Sequence, residues 1–164
     1  MGLSREQVLV EYAKIVKDTS YALKTYLQTY DNTQSRYVPL ELFPDQDRLI
    51  YDYDNFEENI AIKYRQAGVS TVTAAWSSKK LVTAKKSKPE KILIIANKLD
   101  TSMEFANKIR AFLDQWPEWL GVKFSADKNS QRHFKLTNGC EVKAVATSKD
   151  ALRGYTPTIL IFDE

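Results

Sequence analysis

Cysteine is almost absent from this chain of 164 residues, which contains a single one, Cys140. One cysteine cannot form an internal disulfide, so a small disulfide-stapled fold is excluded and a reducing compartment is favoured. Histidine is just as scarce, because His133 is the only one. The chain therefore has no cysteine and histidine cluster for zinc, and we expect His133 to be a surface or hairpin residue rather than a catalytic base.

Long hydrophobic runs are missing as well. No apolar stretch approaches the length of a membrane span, which is about 18 residues or more. The N-terminal segment MGLSREQVLVEY lacks the hydrophobic core of a signal peptide. The net charge of +3 is only mildly basic, so it permits contact with nucleic acid without arguing for it. With 43% hydrophobic residues, the composition indicates a globular protein with a real core. We expect a soluble intracellular protein.

Helical periodicity marks the start of the chain, and we assign residues 1–36 to a helical N-terminal region. Ser4 and Gln7 have the spacing of a capping box, which satisfies two free amides at a helix start. The segments predicted next are a helix over residues 21–30, an extended stretch over 39–44 and a short helix over 45–53.

Strand and helix patterns alternate in the rest of the chain. The predicted strands cover residues 59–64, 91–96 and 158–162, with further strands in 123–147 around the tight-turn signal Asn138–Gly139. The predicted helices cover residues 70–86 and about 101–116, the second with a capping box at Thr101 and Glu104. Residues 79–91 are lysine-rich and predict a mobile connector. The pattern predicts an α/β domain over 37–164, with a mainly parallel sheet flanked by helices and an antiparallel hairpin addition.

The segment KYRQAGVST, residues 63–71, has the outline of a phosphate-binding loop. It follows the predicted strand and contains one glycine, Gly68, before a helix that opens on hydroxyl residues. The ordinary pattern G-x-x-x-x-G-K-[ST] places a lysine where this chain has Val69. A chance strand–loop–helix junction with one glycine is the plain alternative.

Each residue type in the loop has a reason to be there if it binds phosphate. Gly68 lets the backbone approach phosphate oxygens, and the helix start directs free amides at the anion. Ser70 or Thr71 supplies a hydroxyl that can hold Mg²⁺. Lys63 and Arg65, at the beginning of the loop, are the candidate cations.

The last strand, ILIFDE, supplies the other half of a nucleotide-hydrolase site. Its four apolar residues carry Asp163 to the strand end, where a carboxylate can hold the same Mg²⁺, and Glu164 can polarise an attacking water. Phosphoryl transfer depends on positioning and charge neutralisation, so this set is sufficient. Two solvated acids at a strand end are the alternative. Together, loop and strand predict a P-loop NTPase-type sheet that uses ATP and Mg²⁺.

Several motifs in this order resemble the large terminase subunit, the ATP-driven DNA-packaging motor of tailed phages. The resemblance covers about residues 40–164. It rests on residues 42–46 (LFPDQ), 63–71 (KYRQAGVST), 94–98 (IIANK), 151–155 (ALRGY) and 159–164 (ILIFDE).

The resemblance implies specific roles for residues of this chain. Gln46 matches the glutamine that contacts adenine in the family. Lys63 matches the phosphate-binding lysine, which the family's deviant loops carry at the front of the loop. Arg65 would make a further contact to phosphate. Arg153 matches an arginine proposed to reach nucleotide held by the neighbouring subunit of a ring. The implied ATP-binding loop consists of Lys63, Arg65, Gln66, Ala67, Gly68, Val69, Ser70 and Thr71, with Ser70 and Asp163 on the metal and Glu164, Arg153 and Lys63 as catalytic residues.

The same resemblance implies an ATPase that powers packaging of double-stranded viral DNA in the host cytoplasm. Its partners would be the portal protein, the small terminase subunit and further copies of itself in a ring. No contact with a membrane is implied. The family continues beyond the position of Glu164 with a coupling motif and a nuclease domain, so we expect no nuclease activity from this chain and weak hydrolysis in isolation.

Other functions stay open at this point. The chain can be a non-catalytic module that binds nucleotide or partners, and a helicase-like ATPase of another kind shares both motifs. The lysines of residues 79–91 suit contact with DNA phosphates, and a solvated loop explains them equally well.

Overall fold

Five α-helices, one 3-10 turn and seven strands are formed by the residues that the computed structural model describes, which are 3–31, 33–64, 67–148 and 153–163. The helices are α1 (Arg5–Lys17), α2 (Thr19–Tyr26), α3 (Pro44–Asn55), α4 (Val69–Thr83) and α5 (Leu99–Leu113), with the 3-10 turn at Glu118–Leu120. The strands are β1 (Gln28–Asp31), β2 (Arg36–Pro39), β3 (Lys91–Ala96), β4 (Phe124–Asn129), β5 (His133–Leu136), β6 (Glu141–Ala146) and β7 (Ile159–Phe162). Within these ranges, no helix has both the length and the apolar character that a membrane crossing requires.

Strand β3 is the centre of a five-stranded sheet with the order β4-β5-β6-β3-β7. It pairs in parallel with β6 and with β7, whereas β4, β5 and β6 are joined by antiparallel pairing. The predicted α/β class and the antiparallel hairpin around Asn138–Gly139 are therefore confirmed. The expectation of a mainly parallel sheet is wrong, because the hairpin strands pair into the same sheet and make it mixed.

The two faces of β3 are buried in different ways. Ile92 and Ile94 belong to the main core, together with residues of α4 and α5, and α5 lies against β3 and β6. Successive side chains of a strand point to opposite faces, so Leu93 and Ile95 form a separate small cluster with Val145. Burial on both faces explains why the strand is apolar along most of its length, as its sequence predicted.

The N-terminal helices belong to the same core as the sheet. Ile15 of α1 and Leu23 of α2 are fully buried, and α2 packs against α4. The predicted capping box is present: Ser4 Oγ accepts from the Gln7 amide at 3.2 Å, and the Ser4 amide donates to Gln7 Oε1 at 2.8 Å.

The helix predicted over residues 21–30 is wrong in its second half. Helix α2 ends at Tyr26, and β1 then pairs with β2 in an antiparallel ladder. The Asp31 carboxylate accepts from the amides of Thr33 and Gln34, which turns the chain back on itself. The backbone groups of β1 therefore find partners across a hairpin instead of within a helix.

Residues 59–64 do not form the predicted strand. They lie in a segment without regular structure, and the side chains of Ile60 and Ile62 are 95% and 100% exposed. A β-rich composition sets a preference, but a strand also needs a neighbour, and this segment has no ladder in the described part of the chain. The strand predicted over 158–162 does form, but as an edge strand: Leu160 and Phe162 are exposed rather than buried.

Several helix limits also differ from the predictions. Helix α5 begins at Leu99, with Lys98 at the N-cap and no capping side chain, so the expected box at Thr101 and Glu104 is not formed. Helix α4 ends at Thr83 rather than at residue 86, because a turn at 85–88 precedes Pro89. Helix α3 begins at Pro44, in agreement with the prediction of proline in the first turn.

Candidate functional site

The candidate loop leads into α4 through a glycine in a left-handed conformation. Gly68 has a φ of +71° and occupies the N-cap of α4, and its carbonyl accepts from the Val72 amide at 3.0 Å. No side chain caps this helix start, which leaves its first amides directed outward. Free amides and the helix dipole favour an anion at such a position.

Lys63, Ser70 and Asp163 meet directly in front of that helix start. Lys63 Nζ lies 3.0 Å from Ser70 Oγ and 3.4 Å from Asp163 Oδ1. Ser70 Oγ donates to the same carboxylate oxygen at 3.3 Å. Asp163 is held there because its amide continues the ladder of β7 by donating to the Ile95 carbonyl at 3.0 Å. The fold thus brings together three side chains that the sequence singled out from two distant segments.

Gln46 lies against the loop from the side of α3. Its Nε2 donates to the Ala67 carbonyl at 3.0 Å, and its Oε1 accepts from the Phe43 amide at 3.1 Å. A Cβ added to Gly68 would lie only 2.7 Å from that Nε2. The position thus favours glycine for its φ, and a side chain there would also have to displace the end of Gln46. The carboxamide reaches the loop, and its bonds to protein groups hold it in a fixed orientation.

Tyr53 is part of the site and was missed by the sequence analysis. Its hydroxyl donates to Thr73 Oγ1 at 2.9 Å, because Thr73 uses its own proton to bond the Val69 carbonyl at 2.8 Å. Burial raises the pKa of Tyr53, and the negative charge of Asp163 raises it further. Tyr53 lies two helical turns after Gln46, which is the spacing that puts both on one face of α3 and was the available signal. Helix α3 therefore contacts the loop just before Gly68, through Gln46, and helix α4 just after it, through Tyr53.

Lys63, Ser70, Asp163 and Tyr53 line a groove of about 830 Å³, whereas Gln46 and Gly68 are not among its lining residues. One wall of the groove is formed by residues 53–57 together with residues 59, 61 and 63. The other wall is formed by β7 and Asp163, and the start of α4 closes the end. A volume of this size is within the range of sites for small molecules and cofactors, roughly 300–1,000 Å³.

The remaining predicted residues are distributed differently. Val69 and Thr71 lie in the first turn of α4, and Val69 lines the groove while Thr71 does not. Arg153 is exposed in a turn before β7 and is not among the groove residues; its neighbour Tyr155 packs on the Leu93 side of the sheet. Arg65, Gln66 and Glu164 lie outside the described residues.

The donor atoms at this site suit Mg²⁺. Ser70 and Asp163 offer a hydroxyl and a carboxylate oxygen, the hard ligands that Mg²⁺ selects. Within the described ranges no three His, Cys, Asp or Glu residues come together as a metal cluster. A small number of protein ligands is the usual situation for Mg²⁺, which keeps waters and takes phosphate oxygens for the rest of its shell. The ammonium of Lys63 lies beside both oxygens and supplies a positive charge at the place where Mg²⁺ would bind.

Other residues considered in the sequence have structural roles. His133 lies on β5 and pairs with Glu141, whose side chain is buried. Cys140 is fully buried, and burial raises the pKa of its thiol. Lys79 is also buried and bonds the Val16 carbonyl and Thr19 Oγ1. The lysine-rich stretch is thus not one mobile connector, since it begins inside α4 and ends in β3.

A comparison with models of known protein families finds no match, and a comparison with curated proteins finds no relative.

Proposed function

We propose that this chain binds a nucleoside triphosphate at the groove in front of α4 and hydrolyses it, as the ATPase part of a DNA-packaging motor of the large terminase subunit type. The observation that carries the proposal is the meeting of Lys63, Ser70 and Asp163 at an uncapped helix start behind Gly68. This combination offers backbone amides, a mobile cation and oxygen ligands for a metal to one polyphosphate.

Each side chain has a definite task in this proposal. The amides at the start of α4 hold phosphate oxygens, and the Lys63 ammonium neutralises charge on the transferring group. Ser70 and Asp163 hold Mg²⁺, which when bound supplies charge neutralisation between the phosphates. Gln46 faces the base and Glu164 orients the attacking water, in line with the resemblance to the terminase family. The same resemblance assigns Arg65 and Gln66 to the nucleotide-binding loop.

Nucleotide binding and turnover by the purified chain test the enzymatic part. Titration with ATP in the presence of Mg²⁺, followed calorimetrically, measures affinity, and release of inorganic phosphate measures turnover. Lys63→Ala should weaken binding or turnover by at least about tenfold, because a charge-assisted contact to phosphate is lost. Val69→Ala should change little, since its contact within α4 uses the backbone carbonyl. Equal and small effects of both changes would remove Lys63 from the site.

Binding without turnover would instead favour the second candidate, a non-catalytic nucleotide-binding module. The observation on its side is that the Lys63 ammonium contacts both Ser70 and Asp163, the two oxygens that would have to hold the metal for hydrolysis. A helicase-like ATPase would show turnover stimulated by single-stranded nucleic acid rather than by an assembled motor.

The packaging role requires partners: double-stranded viral DNA, a portal protein, a small terminase subunit and a ring of identical chains, in the cytoplasm of the host. Arg153 would act across the ring, on nucleotide in the neighbouring subunit. Arg153→Ala should therefore reduce turnover only in the assembled motor, by up to about a thousandfold. An equal loss in the dilute chain would mean that Arg153 acts in its own subunit.

A further inference from the structure

The ammonium group of Lys63 lies where a divalent cation would have to bind. It contacts Ser70 Oγ at 3.0 Å and Asp163 Oδ1 at 3.4 Å, and these two oxygens are 3.3 Å apart. The three atoms form a closed triangle. Both protein oxygens that suit Mg²⁺ are therefore already in contact with one positive charge.

We propose that Lys63 is a tethered cation that competes with Mg²⁺, so that the site takes the metal only together with a phosphate ligand that draws the lysine away. The identity of that ligand, a nucleoside triphosphate, rests on the proposed function. The competition itself depends only on Lys63, Ser70 and Asp163.

Size and charge both prevent the Lys63 ammonium and Mg²⁺ from occupying this site at the same time. Mg²⁺ binds oxygens at about 2.0–2.1 Å, so a metal on Ser70 Oγ and Asp163 Oδ1 needs the space between them that Lys63 Nζ now approaches. A metal beside the ammonium would also meet like charge at short range, and one carboxylate is too little to balance three positive charges. Within the described residues, Asp163 is the acid that contacts this ammonium.

Lys63 is also free to leave. Its side chain is 29% exposed, and it follows a segment without regular structure. A lysine has a flexible four-carbon stem and carries its charge as a compact point, so it can follow a phosphate without rearrangement of the sheet. Asp163 and Ser70 lie on a strand end and a helix start, and remain in place.

The consequence is a coupling between metal and nucleotide. The metal alone binds weakly because it must displace Lys63, whereas the polyphosphate offers the lysine a better partner and brings further oxygens for the metal. Linkage is reciprocal, so each ligand raises the affinity for the other by the same factor. The site then binds the metal–nucleotide complex and discriminates against free metal.

Binding of Mn²⁺ to the nucleotide-free protein tests the competition directly. Mn²⁺ substitutes for Mg²⁺ on oxygen ligands, and the paramagnetic resonance signal of free Mn²⁺ decreases as it binds. Lys63→Met keeps the length of the side chain and removes its charge. It should bind Mn²⁺ at least about tenfold more tightly than the wild type, with the gain limited by solvent screening at this partly exposed site.

Two controls locate the effect. Lys80 lines the same groove but lies 4.0 Å from Asp54, so Lys80→Met removes an equal charge without freeing Asp163 and should bind Mn²⁺ like the wild type. Adding Asp163→Asn to Lys63→Met should abolish the gain. Thermal unfolding of each variant establishes that it is folded.

The inference is overturned if Lys63→Met gains no affinity, if Lys80→Met gains as much, or if the gain survives Asp163→Asn. A non-hydrolysable ATP analogue forms the last arm: the wild type should bind it more tightly with Mn²⁺ than without. Binding of the analogue is measured by calorimetry, because the analogue itself takes up free Mn²⁺. If Lys63→Met gains Mn²⁺ affinity as expected but neither protein binds the analogue, the competition stands and the proposed nucleotide function fails.

Discussion

The carboxamide of Gln46 fills the space that a side chain at position 68 would need, since its Nε2 lies 2.7 Å from the place of a Cβ on Gly68. The same Nε2 bonds the Ala67 carbonyl. The shape of the loop and the position of α3 therefore depend on each other at this one point.

Gly68→Ala should destabilise the protein through two separate effects. A left-handed φ costs an alanine about 1 kcal/mol, and displacement of Gln46 should add about 1 kcal/mol through its lost hydrogen bonds. Gly121→Ala is the matched control, because Gly121 has a φ of +70° and nothing within 4 Å of its Cβ position. Urea unfolding should show a larger loss for Gly68→Ala. Equal losses would mean that Gln46 moves aside without cost.

Tyr53→Phe should loosen the first turn of α4. The change removes only the hydroxyl that donates to Thr73, and one such bond contributes about 0.5–1.5 kcal/mol. Amide hydrogen exchange over residues 69–73 should become faster. Tyr51→Phe, at an exposed position of the same helix, should leave both the exchange and the stability within about 0.5 kcal/mol of the wild type. Unchanged exchange in Tyr53→Phe would mean that the hydroxyl does not hold the loop.

Asn138→Ala should remove the link between the hairpin turn and the end of α4. Asn138 is buried, and its Nδ2 donates to the Leu81 carbonyl at 2.7 Å, one of the last carbonyls of that helix. Without this bond the Leu81 carbonyl keeps, within the described part of the chain, only the long contact from Cys140 Sγ at 3.6 Å. The free energy of unfolding should therefore fall by about 1–3 kcal/mol in a denaturant titration. Asn59→Ala, at an exposed position, is the comparison, and a loss of similar size there would contradict this account.

Acid should weaken the protein partly through Glu141. Burial acts to raise the pKa of this carboxyl, but the hydrogen bond and charge of His133, with Lys135 and Lys128 nearby, outweigh it and lower the pKa. A lowered pKa stabilises the folded state above the unfolded value of about 4.3, and this contribution is lost as the pH falls through the folded value.

Glu141→Gln should therefore make the free energy of unfolding depend less on pH below about 4.3, with the rest of the curve retained. Denaturant titrations at a series of pH values measure this slope. Asp127→Asn, at an exposed position of β4, should keep the wild-type slope. A slope unchanged in Glu141→Gln would show that the pair with His133 does not stabilise the folded carboxylate.

The parts of the fold that the sequence predicted best are those set by local chemistry. The Ser4 cap, Pro44 at a helix start, the apolar strand β3 and the Asn138–Gly139 turn all follow from the residues themselves. The failures have a common cause. Residues 59–64 have a strand composition without a strand partner. Residues 28–31 form a hairpin ladder with residues 36–39 instead of the second half of the predicted helix.

The candidate site also has some features that local sequence predicted and others that depend on how the elements pack. Lys63, Ser70 and Asp163 were found because each belongs to a motif, and their contacts are consistent with the chemistry that suggested them. Tyr53 was missed because its spacing from Gln46 indicates a shared face of α3 but does not show that this face packs on α4. The position of Lys63 beside both oxygens could not be anticipated either, since a flexible side chain adopts the contacts that the assembled site offers.

The hydrogen bond from Ser70 to Asp163 joins residues 93 positions apart, and it forms between the start of α4 and the end of an edge strand. Contacts of such long sequence separation are slow to form, because the chain loses conformational entropy in closing the long loop before the contact contributes any stabilisation. The site is therefore complete only in chains in which β7 has docked on β3. Any ligand of these two oxygens selects fully folded chains and stabilises them by mass action, which makes a rise in melting temperature a measure of complete assembly.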